Sequence, residues 1–117
     1  MVERPFDVFS ADCPSREAWD HVTGRWGSLV LGALADGPLR FAALRRAVGG
    51  VSDRMLSQTL TRLERDGLVH REDRGSNPPH VEYSLTDPGR EVAARVLDLV
   101  AAIHEVMPAV MSARAGA

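Results

Sequence analysis

Apolar residues recur along this chain in two periods, and the change between them marks its organisation. Ala18, Trp19 and Val22 stand at helical spacing. So do Leu29, Val30, Ala33 and Leu34, then Leu44 and Val48, then Met55, Leu56, Thr59, Leu60 and Leu63. Each set is the inward stripe of an amphipathic helix. Leu68 and Val69 begin a short extended run, and Val81–Leu85 makes a second, with turn residues between them. The last apolar run differs from the others. Val92, Val96, Leu99, Val100, Ile103, Val106 and Met107 keep it apolar on more than one side, more than a single small domain can cover.

Start and stop signals divide these stripes into elements. Ser15 is the expected N-cap of the first helix, and Gly24 ends it. The second helix is expected over residues 26–35, stopped by Asp36-Gly37-Pro38. Leu39-Arg40-Phe41 reads as a short extended piece, followed by a third helix over 41–48 and a break at Gly49-Gly50. A fourth helix over 53–66 takes Ser52 as its N-cap and closes at Gly67. The turn Gly75-Ser76-Asn77-Pro78-Pro79 joins the two extended runs. Thr86 caps the last helix, Pro88 stands in its first turn, and Pro108 is expected to kink or end it. A helix followed at once by a hairpin is the layout of a winged helix. The expected class is therefore mainly α, with a short β-hairpin wing. Residues 1–117 form one domain, with an arm over 1–12 and a dimerisation region over 86–113.

Composition narrows the function. The 117 residues leave room for one core. No uninterrupted apolar run approaches the roughly 18 residues of a membrane span, and no signal pattern opens the chain. A cytoplasmic location is expected, and the lone Cys13 suits a reducing compartment. The net charge of −2 argues against a nucleic-acid partner, but its distribution does not. Residues 1–36 hold three arginines against six carboxylates, whereas residues 45–80 hold seven against five. Local field decides where phosphate binds.

The sharpest candidate chemistry lies on the fourth helix. Arg54, Gln58, Thr61 and Arg65 form one outward line, with Ser57 and Arg62 on its shoulders and Ser52 at its start. Arginine can bridge guanine acceptors, glutamine can pair with adenine, and hydroxyls serve bases or phosphates. An ordinary solvated face is the alternative, although such a face would mix in glutamates. The hairpin adds Arg71 and Arg74, and its tip offers Arg74, Asn77 and His80 to phosphate or the minor groove. Arg45, on the outer side of the third helix, is a further phosphate candidate. Arg25 opposes the dipole of the second helix, so a phosphate or a carboxylate such as Asp20 should compensate it. Trp19 and Trp26 read as core or dimer-contact residues.

Cys13 is either an idle, packed thiol or a redox or electrophile sensor. Its place before a helix start lowers a thiol pKa, and Asp12 pushes the other way. Other chemistry finds no support. His21, His70, His80 and His104 are scattered without metal-ligand spacing. Neither Gly24-Arg25-Trp26-Gly27 nor Gly49-Gly50 makes a phosphate loop, and no nucleophile elbow occurs. No enzyme activity, metal or cofactor is expected.

Taken in order, several strings resemble one family. They are Cys13-Pro14, Gly24-Arg25-Trp26, Gly37-Pro38-Leu39-Arg40-Phe41 with Leu44-Arg45, and Val51-Ser52 with Arg54-Met55-Leu56-Ser57. Leu60, Leu63-Glu64 and Gly67-Leu68-Val69 follow, then Pro79-His80-Val81-Glu82-Tyr83-Ser84-Leu85-Thr86 with Gly89. Residues 12–105 are thus similar to the HxlR-type helix-turn-helix regulators of bacteria. The resemblance implies a winged-helix homodimer on a palindromic operator in double-stranded DNA, repressing or activating nearby genes. It implies a dimer built from the N- and C-terminal helices, a recognition helix at 52–65 and a wing at 72–80. Some members sense oxidants or electrophiles through a cysteine near the N-terminus, where Cys13 stands. Arg25 replaces the lysine usual before the tryptophan. With no second cysteine, a sensor here would need the partner's Cys13 or a small thiol. A small-molecule effector held between the dimer helices, and a winged helix that binds protein instead of DNA, remain as alternatives.

Overall fold

The computed structural model describes residues 5–75 and 77–116. Residues 1–4 of the expected arm and Ser76 of the expected turn lie outside the described residues. Five helices and three short strands follow in order: α1 (Pro14–Thr23), α2 (Gly27–Ala33), β1 (Leu39–Arg40), α3 (Phe41–Ala47), α4 (Asp53–Arg65), β2 (Val69–Asp73), β3 (Val81–Leu85) and α5 (Asp87–Gly116). A single 3-10 turn, Leu34–Asp36, ends the second helix. The mainly helical winged helix-turn-helix class is borne out, and α3 and α4 form the helix-turn-helix pair.

The core is built where the helical stripes meet. Val30, Leu31, Leu34, Leu44, Leu56, Leu60, Leu63 and Val69 are buried around α2, α3, α4 and the base of the hairpin. Two stripe residues are corrections. Leu29 is 47% exposed and Met55 is 36% exposed, while Leu31, absent from the expected stripe, is fully buried. For Leu29 and Leu31 the reason is that α2 is central, packed by α1, α3, α4 and α5 at once, so its buried arc is wider than one stripe and is rotated from it.

The caps also differ in one place. The N-cap of α1 is Cys13, not Ser15, with Pro14 in the first turn. Proline suits that position because the amide it lacks would be unpaired there. Ser52 caps α4 as expected, its Oγ accepting from the Met55 N–H at 3.1 Å. At the other end of α4, Leu68 N–H donates to the Leu63 carbonyl and Gly67 N–H to the Glu64 carbonyl. That pair of bonds is a Schellman motif, and Gly67 at φ 74 supplies the left-handed residue it requires. The motif turns the chain from α4 straight into the hairpin.

The sheet holds one strand more than the hairpin. β1 pairs antiparallel with β3, giving the order β1-β3-β2. Arg40 therefore lies opposite Glu82, and Glu82 opposite Glu72.

Thr86 begins α5, its Oγ accepting from Gly89 N–H at 3.1 Å. A side chain at Gly89 would put its Cβ 1.9 Å from the Leu68 carbonyl oxygen, so this contact admits glycine alone. α5 continues unbroken through Pro108 to Gly116, which corrects the expectation that Pro108 could end it. Its first half packs on α2 through Ala93 and Val96. Beyond that Leu97, Leu99, Ile103, Val106 and Met111 stand exposed. By length and composition alone α5 could cross a membrane. Arg95, Asp98, His104 and Glu105 interrupt it, however.

Candidate nucleic-acid interface

The outward line of α4 is solvent-facing along its whole length. Arg54, Ser57, Gln58, Thr61, Arg62 and Arg65 are all exposed, while Leu56, Thr59, Leu60 and Leu63 hold the opposite face in the core. The helix is capped at both ends, by Ser52 and by the Schellman turn. Thr61 Oγ donates to the Ser57 carbonyl at 2.9 Å, so its lone pairs and methyl group remain to meet a base. Among the described residues, Arg54, Arg62 and Arg65 enter no ion pair. Their charges face water uncompensated.

The neighbouring cations are arranged differently. Arg45 reaches from α3 to Asp53 at the first turn of α4, 2.9 Å away. Both groups are half-exposed, and such a pair contributes little in water, so a phosphate can displace the carboxylate. Arg25 forms no ion pair among the described residues, and Asp20 instead faces Arg16 at 3.9 Å. The Arg25 guanidinium stacks over the Trp26 ring, 5.0 Å from its centroid. The same ring backs onto Gly50 in the turn before α4, where an added Cβ would lie 3.8 Å from it. That chain of contacts places Arg25 beside the turn of the helix-turn-helix.

The wing is closer to neutral than its arginines suggest. Residues 71–82 carry two arginines against three carboxylates. Arg74 contacts Glu82 at 3.2 Å and Glu72 at 3.4 Å. His80 Nε2 lies 2.9 Å from Glu82. The His80 hydrogen bond, reinforced by Arg74, holds the Glu82 carboxyl below the usual carboxylate range. Of the three tip candidates, Arg74 and His80 converge on Glu82 and Asn77 stays exposed. Glu82 was not among the sequence candidates, because its role follows from the strand register. Arg40 and Arg46 were likewise outside the set of expected site residues, and Arg71 of the hairpin was given no role of its own. They are exposed and form no ion pair among the described residues.

Cys13 lies apart, at the start of α1. Its sulfur accepts from Ser15 Oγ–H and from Asp7 N–H, both at 3.2 Å. These bonds stabilise the thiolate, Ser15 first, and bring the thiol below its usual value. The opposing carboxylate is Asp7 and not the expected Asp12. A groove of about 400 Å³ opens beside this segment between α1 and α5. Val8, Trp19, Val22, Val92, Val96 and Leu99 line it. Trp19 is 53% exposed there, so within one chain it is no core residue, whereas Trp26 packs against the core.

Known proteins resemble this chain in sequence and fold. The HxlR-like helix-turn-helix family model matches residues 21–111. The HTH-type transcriptional regulator YtfH of Escherichia coli K12 is 48% identical over 108 residues, 92% of this chain and 86% of its own. Among solved structures, the transcriptional regulator ytfH from Salmonella typhimurium superposes with a TM-score of 0.87 at 49% identity, covering 93% of this chain and 97% of its own. The redox regulator HypR in its oxidised form gives a TM-score of 0.73 at 38% identity, over 80% of this chain and 96% of its own.

Proposed function

Since this chain belongs to the HxlR-like helix-turn-helix family, it is a transcriptional regulator of helix-turn-helix type and not an enzyme, and we propose that it binds a palindromic operator as a homodimer through α4. The observation that carries this reading is the α4 face. Arg54, Gln58, Thr61 and Arg65 are exposed on a doubly capped helix whose arginines have no carboxylate partner among the described residues. In the proposed docking, Arg54, Gln58 and Thr61 read base edges in the major groove. Arg25, Arg45, Ser52, Ser57, Arg62 and Arg65 hold phosphates, and Arg74, Asn77 and His80 approach the backbone from the wing. The second chain covers the apolar faces of α1 and α5, and a cytoplasmic location belongs to the same proposal.

Selection of bound sequences from a random double-stranded pool tests this. The expected product is a palindrome with half-sites about one helical turn, or a multiple of it, apart, bound with an affinity that falls steeply with salt. Recovery of no enriched sequence, with no salt-dependent binding to genomic DNA, would instead favour a protein-binding winged helix.

A second reading concerns regulation. The lowered Cys13 thiol, hydrogen-bonded to Ser15, which lines an apolar groove, suits a sensor of oxidants or electrophiles. The similarity to HypR, a redox regulator, adds support. Mild oxidation should then change operator affinity, and Cys13→Ser should abolish the response. A Cys13 that reacts no faster than global unfolding allows would assign it to packing.

A further inference from the structure

The turn that ends α4 is fastened to both helices expected at the dimer interface. From one side His21, on α1, donates through Nδ1–H to the Asp66 carboxylate at 2.6 Å. An ionised carboxylate only accepts, so the proton of this bond sits on Nδ1. The two side chains are 16% and 20% exposed, largely shielded from water. Asp66 is the C-cap of α4. Glu17 approaches the other ring nitrogen at 3.9 Å. From the opposite side Thr86, at the start of α5, donates its Oγ–H to the Gly67 carbonyl at 2.6 Å and its N–H to the Leu68 carbonyl at 3.2 Å. Gly89 then presses the first turn of α5 onto Leu68.

Asp66, Gly67 and Leu68 therefore form a three-residue anchor, bonded to α1 through Asp66 and to the start of α5 through Gly67 and Leu68. The two fastenings are of different kinds. The α5 side is held by two hydrogen bonds from Thr86 and by the close backbone approach at Gly89, whereas the α1 side depends on one side-chain pair. His21 also lies two turns along α1 from Cys13, on the helix whose Trp19 and Val22 line the apolar groove.

We propose that His21, through Asp66, is a positioning residue for α4, holding the angle between the recognition helix and α1 that a two-fold dimer needs to fit its half-site spacing. This rests on the operator-binding reading above. His21 touches no DNA. It acts on specific binding alone, because a misaligned pair of α4 helices still meets phosphate at a random site but cannot fill two half-sites together.

The test uses the full chain and the operator recovered from the random pool, with binding measured well below the melting temperature. His21→Leu, which keeps bulk and removes the donor, should weaken operator binding about tenfold, in line with a hydrogen bond to a charged group. Affinity for random DNA should stay within twofold. His21→Asn places an N–H where Nδ1 stands and should restore operator binding. Asp66→Ala reaches the same bond from the other partner and should match His21→Leu, which keeps the test open if either single variant folds poorly. In the double variant the two losses should not add. Operator affinity unchanged in both His21→Leu and Asp66→Ala overturns the inference. So does an equal loss on operator and random DNA, or a His21→Asn as weak as His21→Leu. A wild-type protein that binds no operator refutes the functional reading itself, which keeps the two failures distinct.

Discussion

Leu99→Lys should separate the proposed dimer from the folded monomer. Leu99 is 60% exposed in a single chain, so lysine there leaves the core intact and keeps helix propensity close to that of leucine. Fully burying a leucine stabilises by roughly 1.5–3 kcal/mol. Covering the exposed 60% in a dimer is then worth about 1–2 kcal/mol per chain. A two-fold interface counts the residue twice, so the substitution should cost about 2–4 kcal/mol of association, or a rise of about 30- to 700-fold in the dimer Kd. Any lysine charge that cannot reach water adds to this. Sedimentation equilibrium over a concentration series reads the Kd, and denaturant unfolding of the dissociated variant reads the monomer. Monomer stability should change by no more than about 0.5 kcal/mol, as at other exposed positions. Val96, 9% exposed, is the contrast, since Val96→Lys should unfold the chain itself. A wild-type chain that stays monomeric at micromolar concentration refutes the reasoning. So does a Leu99→Lys variant with an unchanged Kd.

Other outcomes follow from single contacts. Arg54→Ala should cost about 1–3 kcal/mol on the operator and relax specificity at one position of each half-site, read by competition with base-substituted duplexes. Arg74→Ala should weaken all sequences alike and only slightly, because Glu72 and Glu82 already hold the guanidinium. Ser52→Ala should lower stability by about 1 kcal/mol through the lost cap, while Ser52→Thr retains most of it, as measured by thermal unfolding. For Cys13, alkylation followed against pH should show its midpoint below that of a free thiol, and Ser15→Ala should raise that midpoint. The sign for stability follows from the lowered folded-state pKa. The contribution is present above the thiol pKa of the unfolded chain and is lost as pH falls through the folded-state value.

Much of this molecule was legible in the order of its residues. Helix stripes, the Ser52 cap, the Gly67 stop and the hairpin are local signals, set by periodicity and backbone conformation over a few positions. The outward line of α4 was legible for the same reason, since the spacing that buries Leu56, Leu60 and Leu63 must expose Arg54, Gln58, Thr61 and Arg65. So was the incomplete cover of α5, whose apolar circumference exceeds what one domain can bury. Tertiary structure decided what depends on neighbours far along the chain. Leu31 is buried and Leu29 is not because α2 is walled by four helices. Arg74 and His80 meet at Glu82 because the β2–β3 register sets Glu82 opposite Glu72. His21 and Asp66, 45 residues apart, are joined only when α1 crosses the end of α4. A side chain's face follows from its nearest neighbours in sequence. Its partner follows from packing, which no local spacing contains.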